Sequence, residues 1–116
     1  MSIISDVLAN RLTLLQSINS TLSFEGDTMD TPIGTRALIR VLDNGELIAL
    51  EFIEPEGMWS ESDVLEEYAE TVEEGINTTI IVSENEKDKI REEFGQDSII
   101  KIISYDEIGS SLQYIS

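Results

Sequence analysis

The sequence contains no cysteine and no histidine. The first absence excludes disulfides, zinc thiolate clusters and thiol nucleophiles, and the second removes the commonest general base and metal ligand. Any catalysis must therefore rest on carboxylates, lysine, hydroxyls or a metal. Positive charge is also scarce, with 7 Lys and Arg against 24 Asp and Glu for a formal net charge of -17. Nucleic-acid affinity comes from cations that neutralise phosphates, so direct binding to a duplex is disfavoured. Long apolar runs are missing as well: no segment approaches a membrane span, and no basic N-terminal region precedes an apolar stretch. The reading is a soluble, cytoplasmic chain with no membrane contact, in which the triplets at Asn19 and Asn77 carry no glycosylation meaning.

What is present suffices for one core. A chain of 116 residues with 41% hydrophobic content is the size of a single domain, 1–116, and can bury one. The acidity is local: Val41 to Glu86 holds 14 acids and no base, whereas Met1 to Phe24 carries only Asp6 and Arg11. Such acidity serves solubility, or it presents an acidic face to a basic partner or imitates nucleic acid.

Ile4, Val7, Leu8, Leu12, Leu15 and Ile18 recur at helical spacing, with Ile3 and Leu14 widening the stripe, and predict an amphipathic helix over 1–18. Its low charge points to packing against the core or another chain. Thr21 to Phe24 suits a short strand, and EGDTMDTPIGT, Glu25 to Thr35, reads as a loop whose Asp27 and Asp30 are solvated acids before they are metal ligands. Asn44-Gly45 between apolar flanks predicts a hairpin over 36–53. A two-residue loop places Leu38 opposite Glu51 and Arg40 opposite Ala49, grouping Leu38, Arg40, Leu42, Leu47, Ala49, Glu51 and Ile53 on one face. On that register Arg40 lies diagonal to Glu51, within reach of an ion pair.

Pro55 and Gly57 turn the chain towards a helix over 60–74, capped by Ser60 with Asp63 or by Ser62. Its apolar face is Val64, Leu65, Tyr68, Ala69 and Val72, and its opposite face is Glu66, Glu67, Glu70, Glu73 and Glu74. A βαβ unit follows over 78–103: the β-branched run Thr78 to Val82, a helix opened by Ser83 and Glu86 and ended by Gly95, and the strand Ser98 to Ile103. Ser104 and Glu107 have capping-box spacing, which predicts a short C-terminal helix over 105–115 lined by Ile108, Leu112 and Ile115. The fold class is α/β: a mixed sheet of three-layer-like αβββαβ order with a central β-hairpin, a right-handed crossover helix and a further parallel strand. Trp59, Tyr68 and Phe94 read as core.

Arg36 to Ile53, the helix Asp63 to Glu74, the strand TTIIVSENE and the ending IISYDEIG together resemble the restriction-endonuclease-like superfamily with the PD-(D/E)xK motif. The resemblance implies acids in two hairpin strands that hold divalent metal, and a lysine that helps activate water. Here Glu51 keeps the acid of the triplet, Ile53 stands in place of the lysine, and Leu38 falls where the first acid belongs. Asp43 at the turn, Glu54 and Glu56 after the strand, and Lys87, Lys89 and Lys101 are the residues from which a relocated site would be drawn. Glu51 and Asp43 are thus the candidate catalytic residues, Glu51 the candidate metal ligand, and the glutamates at 66, 67, 70, 73 and 74 the candidate partner-binding face.

Three functions follow. One is a non-catalytic nuclease-fold-like domain that binds another protein, with a basic surface on that partner, and needs no cofactor. A second is a metal-dependent nuclease with relocated ligands and Mg2+. The third is an acidic inhibitor or nucleic-acid mimic. A homo-oligomer remains open.

Overall fold

The hairpin fixes the middle of the sheet. In the computed structural model, which describes residues 3–95 and 99–114, β2 (Gly34–Asp43) and β3 (Glu46–Ile53) pair antiparallel across Asn44 and Gly45, both at positive φ. Beyond Leu42 opposite Leu47 the register shifts, because Ile48 is an extra residue on β3 and Val41 pairs with Ala49. The flush register expected from a two-residue loop is therefore corrected by one place. Ile39, not Leu38, lies opposite Glu51, and Arg40 lies opposite Leu50. The bulge groups Ala37, Ile39 and Val41 with Ala49, Glu51 and Ile53, a face of small and β-branched side chains, and puts Leu38, Leu50 and Phe52 on the other.

Around this pair the sheet runs β1-β2-β3-β4-β5, with β1 (Ser23–Thr31) antiparallel to β2 and with β4 (Asn77–Val82) and β5 (Lys101–Ser104) continuing parallel to β3. Most of the stretch expected as a loop is strand: Glu25 to Thr31 pair residue by residue with Arg40 to Gly34. Its polar sequence hides it, since an edge strand open to water needs a partner ladder more than an apolar face. Of the last strand, Ser98 lies outside the described residues and pairing begins at Lys101.

One helix covers one face. α1 (Ile3–Ile18) places Ile4, Val7 and Leu15 on Ala37, Ile39, Val41, Ala49, Ile53, Ile81 and Ile103. Gly26 admits it closely, because a Cβ there would stand 2.7 Å from Leu12 Cδ1 and 3.0 Å from Leu8 Cδ1. On the other face α2 (Ser62–Glu73) and α3 (Glu84–Phe94) enclose Phe52, Met58, Val64, Tyr68, Ile80, Val82, Ile90 and Ile102. Tyr68 meets Phe52 and Phe94 edge to face, with centroids 5.0 and 6.3 Å apart, and Trp59 also meets Phe94. The result is a three-layer, mixed α/β fold.

The side-chain caps of α2 and α3 differ from expectation, whereas the Ser104–Glu107 capping pair forms. α2 starts after Glu61 with no side-chain cap, and at the start of α3 Ser83 Oγ bonds Asn85 while Glu86 accepts from Gly57 N–H and the Trp59 indole. The C-terminal helix is absent among the described residues. A single 3-10 turn, Tyr105–Glu107, keeps the Glu107 carboxylate on the Ser104 amide, and the chain then runs irregularly to Tyr114; Ile115 lies outside the described residues.

Ile39 is fully buried between α1 and the sheet, whereas Ile33 at the β1–β2 turn is 52% exposed. Ile39→Ala is expected to lower unfolding stability by about 2–5 kcal/mol in urea titrations. Ile33→Ala is expected to cost less than about 0.5 kcal/mol.

Candidate functional site

Glu51 sits at the centre of β3, and the bulge turns it towards α1, where it is fully buried. A lone carboxylate there would carry a large desolvation cost, and the helix stripe answers it with Arg11, one turn from both Val7 and Leu15 and also fully buried. Arg11 Nε donates to Glu51 Oε1 at 2.7 Å and Nη2 to Oε2 at 2.8 Å, a bidentate fork. The remaining donors close on the C-terminal segment: Nη1 reaches the carbonyls of Ile108 and Ser110, each at 2.7 Å, and Nη2 that of Ser111 at 3.1 Å. The Tyr114 hydroxyl donates to Glu51 Oε2. Asn19, just past α1, adds bonds to the Leu112 carbonyl at 2.7 Å and from the Tyr114 amide at 3.0 Å. These bonds explain the missing helix. Carbonyls that would run up a helix are drawn to the Arg11 and Asn19 side chains instead.

A second unit of the same composition lies on the opposite face. Arg36 Nε and Nη2 each donate to buried Glu54 at 2.8 Å, Nη1 stands 2.8 Å from Glu67 Oε1, and the Tyr68 hydroxyl donates to Glu54 Oε2. The guanidinium lies 5.8 Å from the Phe52 ring centroid. The Tyr105 hydroxyl donates to the Glu54 carbonyl, which ties the segment after β5 to the end of β3.

The electrostatics follow from burial. Burial pulls both guanidinium pKa values down, but the hydrogen bonds and charge of Glu51 on Arg11, and of Glu54 and Glu67 on Arg36, more than reverse this and hold them above the ordinary arginine value. Burial first, then the adjoining carboxylates, pushes up all three phenols: Glu54 acts on Tyr68, Glu86 on Tyr105 and Glu51 on Tyr114. Lys87 at the partly exposed Glu107 carboxylate lowers that acid.

The candidate residues fall apart as a catalytic set. Glu51 has Arg11 as its partner, while Arg40 turns to Asp27 at 2.5 Å and Glu25 at 4.0 Å on β1, which corrects the expected Arg40–Glu51 pair. Asp43 is opposite Glu46 at the hairpin end, four places along β2 from the residue that faces Glu51. Ile39 across from Glu51 and Ile53 two residues on offer no ligand, so these residues do not fit the metal that the nuclease resemblance implies. Among the described residues, no three Asp or Glu side chains are grouped to hold an ion. Of the acids expected on this helix, Glu66, Glu70 and Glu73 on α2 and Glu74 just past its end are exposed, and Glu67 is half-buried on Arg36. Asp63, Glu66, Glu67 and Glu70 rim an open groove of about 450 Å³ beside Arg36 and Val64.

Arg11 is the residue that pattern reading missed. Its signal was present, since it occupies the apolar stripe between Val7 and Leu15 as the single base before residue 36. Compared with known proteins, the chain matches no family model, no curated protein and no solved structure.

The raised phenols make stability fall at alkaline pH. A group whose native pKa lies above its unfolded value stabilises the fold below the unfolded pKa, about 10 for tyrosine, and the contribution is lost as pH rises beyond it. Absorbance at 295 nm is expected to show no tyrosinate before unfolding and all three tyrosines ionising together with loss of the far-ultraviolet circular dichroism signal. Stepwise ionisation of a folded protein would contradict this.

Proposed function

We propose that this chain is a non-catalytic module of nuclease-like architecture that binds another protein through surface carboxylates, the partner presenting a basic surface. The observation that carries the reading is the state of Glu51. It is the one acid of the nuclease signature left in this sequence, and both its oxygens are engaged by Arg11 and Tyr114 out of reach of solvent. A carboxylate held this way closes a core and is not offered to a hard cation. Binding is supported by the distribution of charge. Both buried arginines face buried glutamates, so their positive charge is neutralised inside, and the surface keeps the excess of acid. Complementary charge of that kind speeds encounter and selects partners.

The test is a titration of the 15N-labelled protein with millimolar Mg2+ or Mn2+. The amides of residues 49–53 and of Arg11 are expected to keep their positions and intensities, with only small shifts at exposed acids. Saturable shifts or paramagnetic broadening centred on Glu51, together with metal-dependent DNA cleavage lost in Glu51→Gln, would overturn the reading.

A further inference from the structure

Among the described residues, one side of the sheet ends in an open edge strand. β1 pairs with β2 alone, and all of it except Phe24 and Thr31 is exposed, so one edge of a nine-residue strand offers its backbone to solvent. Open edges of this length are templates for another strand. β1 is also marked by charge: it carries Glu25, Asp27 and Asp30 and no Lys or Arg. Gly26 lies beneath Leu8 and Leu12 of α1, so alternation puts Glu25, Asp27 and Met29 on the opposite face, beside Arg40, Leu38 and Arg36 of β2. Leu38 packs against the aromatic cluster beneath α2 and α3, whereas Glu25, Asp27 and Met29 at the rim are 61%, 56% and 39% exposed. Arg40 stands against two carboxylates there and Arg36 is engaged by Glu54 and Glu67, which leaves the edge negative.

We infer that β1 is the docking edge for an extended segment of a cationic partner, added to the sheet as a sixth strand. The segment carries Lys or Arg at two alternate positions, facing Glu25 and Asp27, and an apolar residue next in the same series, beside Met29. Cross-strand pairs of opposite charge stabilise such an addition, and like charges oppose it. A second copy of this chain would bring β1 acids against β1 acids, so charge selects against self-pairing and for a basic strand. This inference rests on the reading of the chain as an acidic protein-binding module and moves the contact from the α2 glutamates to the sheet edge.

The experiment uses the full-length 15N-labelled protein at low salt. The probe is a synthetic nine-residue peptide with two alternate lysines followed in series by valine, and the control is a peptide of the same composition with the lysines adjacent. The expected result is saturable binding of the alternating peptide with the largest shifts in Ser23–Thr31, slowed amide exchange there, and weaker binding of the control. Glu25→Lys with Asp27→Lys is expected to weaken binding by about tenfold or more, whereas Glu73→Lys with Glu74→Lys changes it by less than about twofold. Shifts confined to α2 or α3 with β1 unmoved, or equal binding of both peptides, would overturn the edge inference and leave the acidic-module reading standing. No saturable binding of either peptide would overturn both. The mapping on the unmodified protein decides the matter even where a charge-reversed variant fails to fold.

Discussion

The structure depends on neutralising a carboxylate in the middle of a sheet. Glu51 occupies a position where its neighbours across the ladder are Ile39 and Thr79, and it is fully buried. Only a planar, permanently charged group with several donors can meet both carboxylate oxygens there and still satisfy its own N–H groups. Arg11 does this by linking three parts of the chain remote in sequence: α1, β3 and the segment after β5. Removing one partner strands the other, which typically costs about 3–5 kcal/mol, whereas replacing both with apolar groups is often neutral. The pair therefore specifies how α1 and the C-terminal segment seat on the sheet more than it adds to stability.

The Arg36–Glu54–Tyr68 unit applies the same solution on the opposite face, at the point where β3 ends and the chain turns towards α2. The two units share a chemical form, an arginine fork on a glutamate that also accepts a tyrosine hydroxyl. Their glutamates, Glu51 and Glu54, lie three residues apart along the chain, one on each side of the sheet. Their placement has an electrostatic consequence outside the core. Two of the 7 cations are withdrawn into it, and Arg40 and Lys87 are engaged with surface acids. Lys89, Arg91 and Lys101 form no ion pair among the described residues. The outer surface is therefore governed by carboxylates.

Much of the architecture was legible because local patterns agreed with tertiary ones. Asn44-Gly45, the stripe of Val64 and Tyr68, and the β-branched Thr78 to Val82 each point to the element that forms. The failures have physical causes. Period-2 alternation cannot register one extra residue, so the bulge at Ile48 reversed the face assignment of Leu38 and Arg40. β1 was hidden because an exposed edge strand carries no apolar alternation, and Asp27 and Gly26 read as loop formers. The closing helix failed because Ile108, Ser110 and Ser111 direct their carbonyls to Arg11, a long-range competitor no local window contains. Glu51 was found as a residue but not as a role, since its partner lies 40 positions away.

The central claim is that Glu51 is a structural anchor. A double-mutant cycle with Arg11→Met, Glu51→Leu and the combined variant, followed by urea unfolding, tests it most directly. Each single substitution is expected to destabilise strongly, and the combined variant to recover most of the loss, giving a coupling energy of at least about 2 kcal/mol. Additive losses, or a Glu51→Leu variant as stable as the parent, would contradict it.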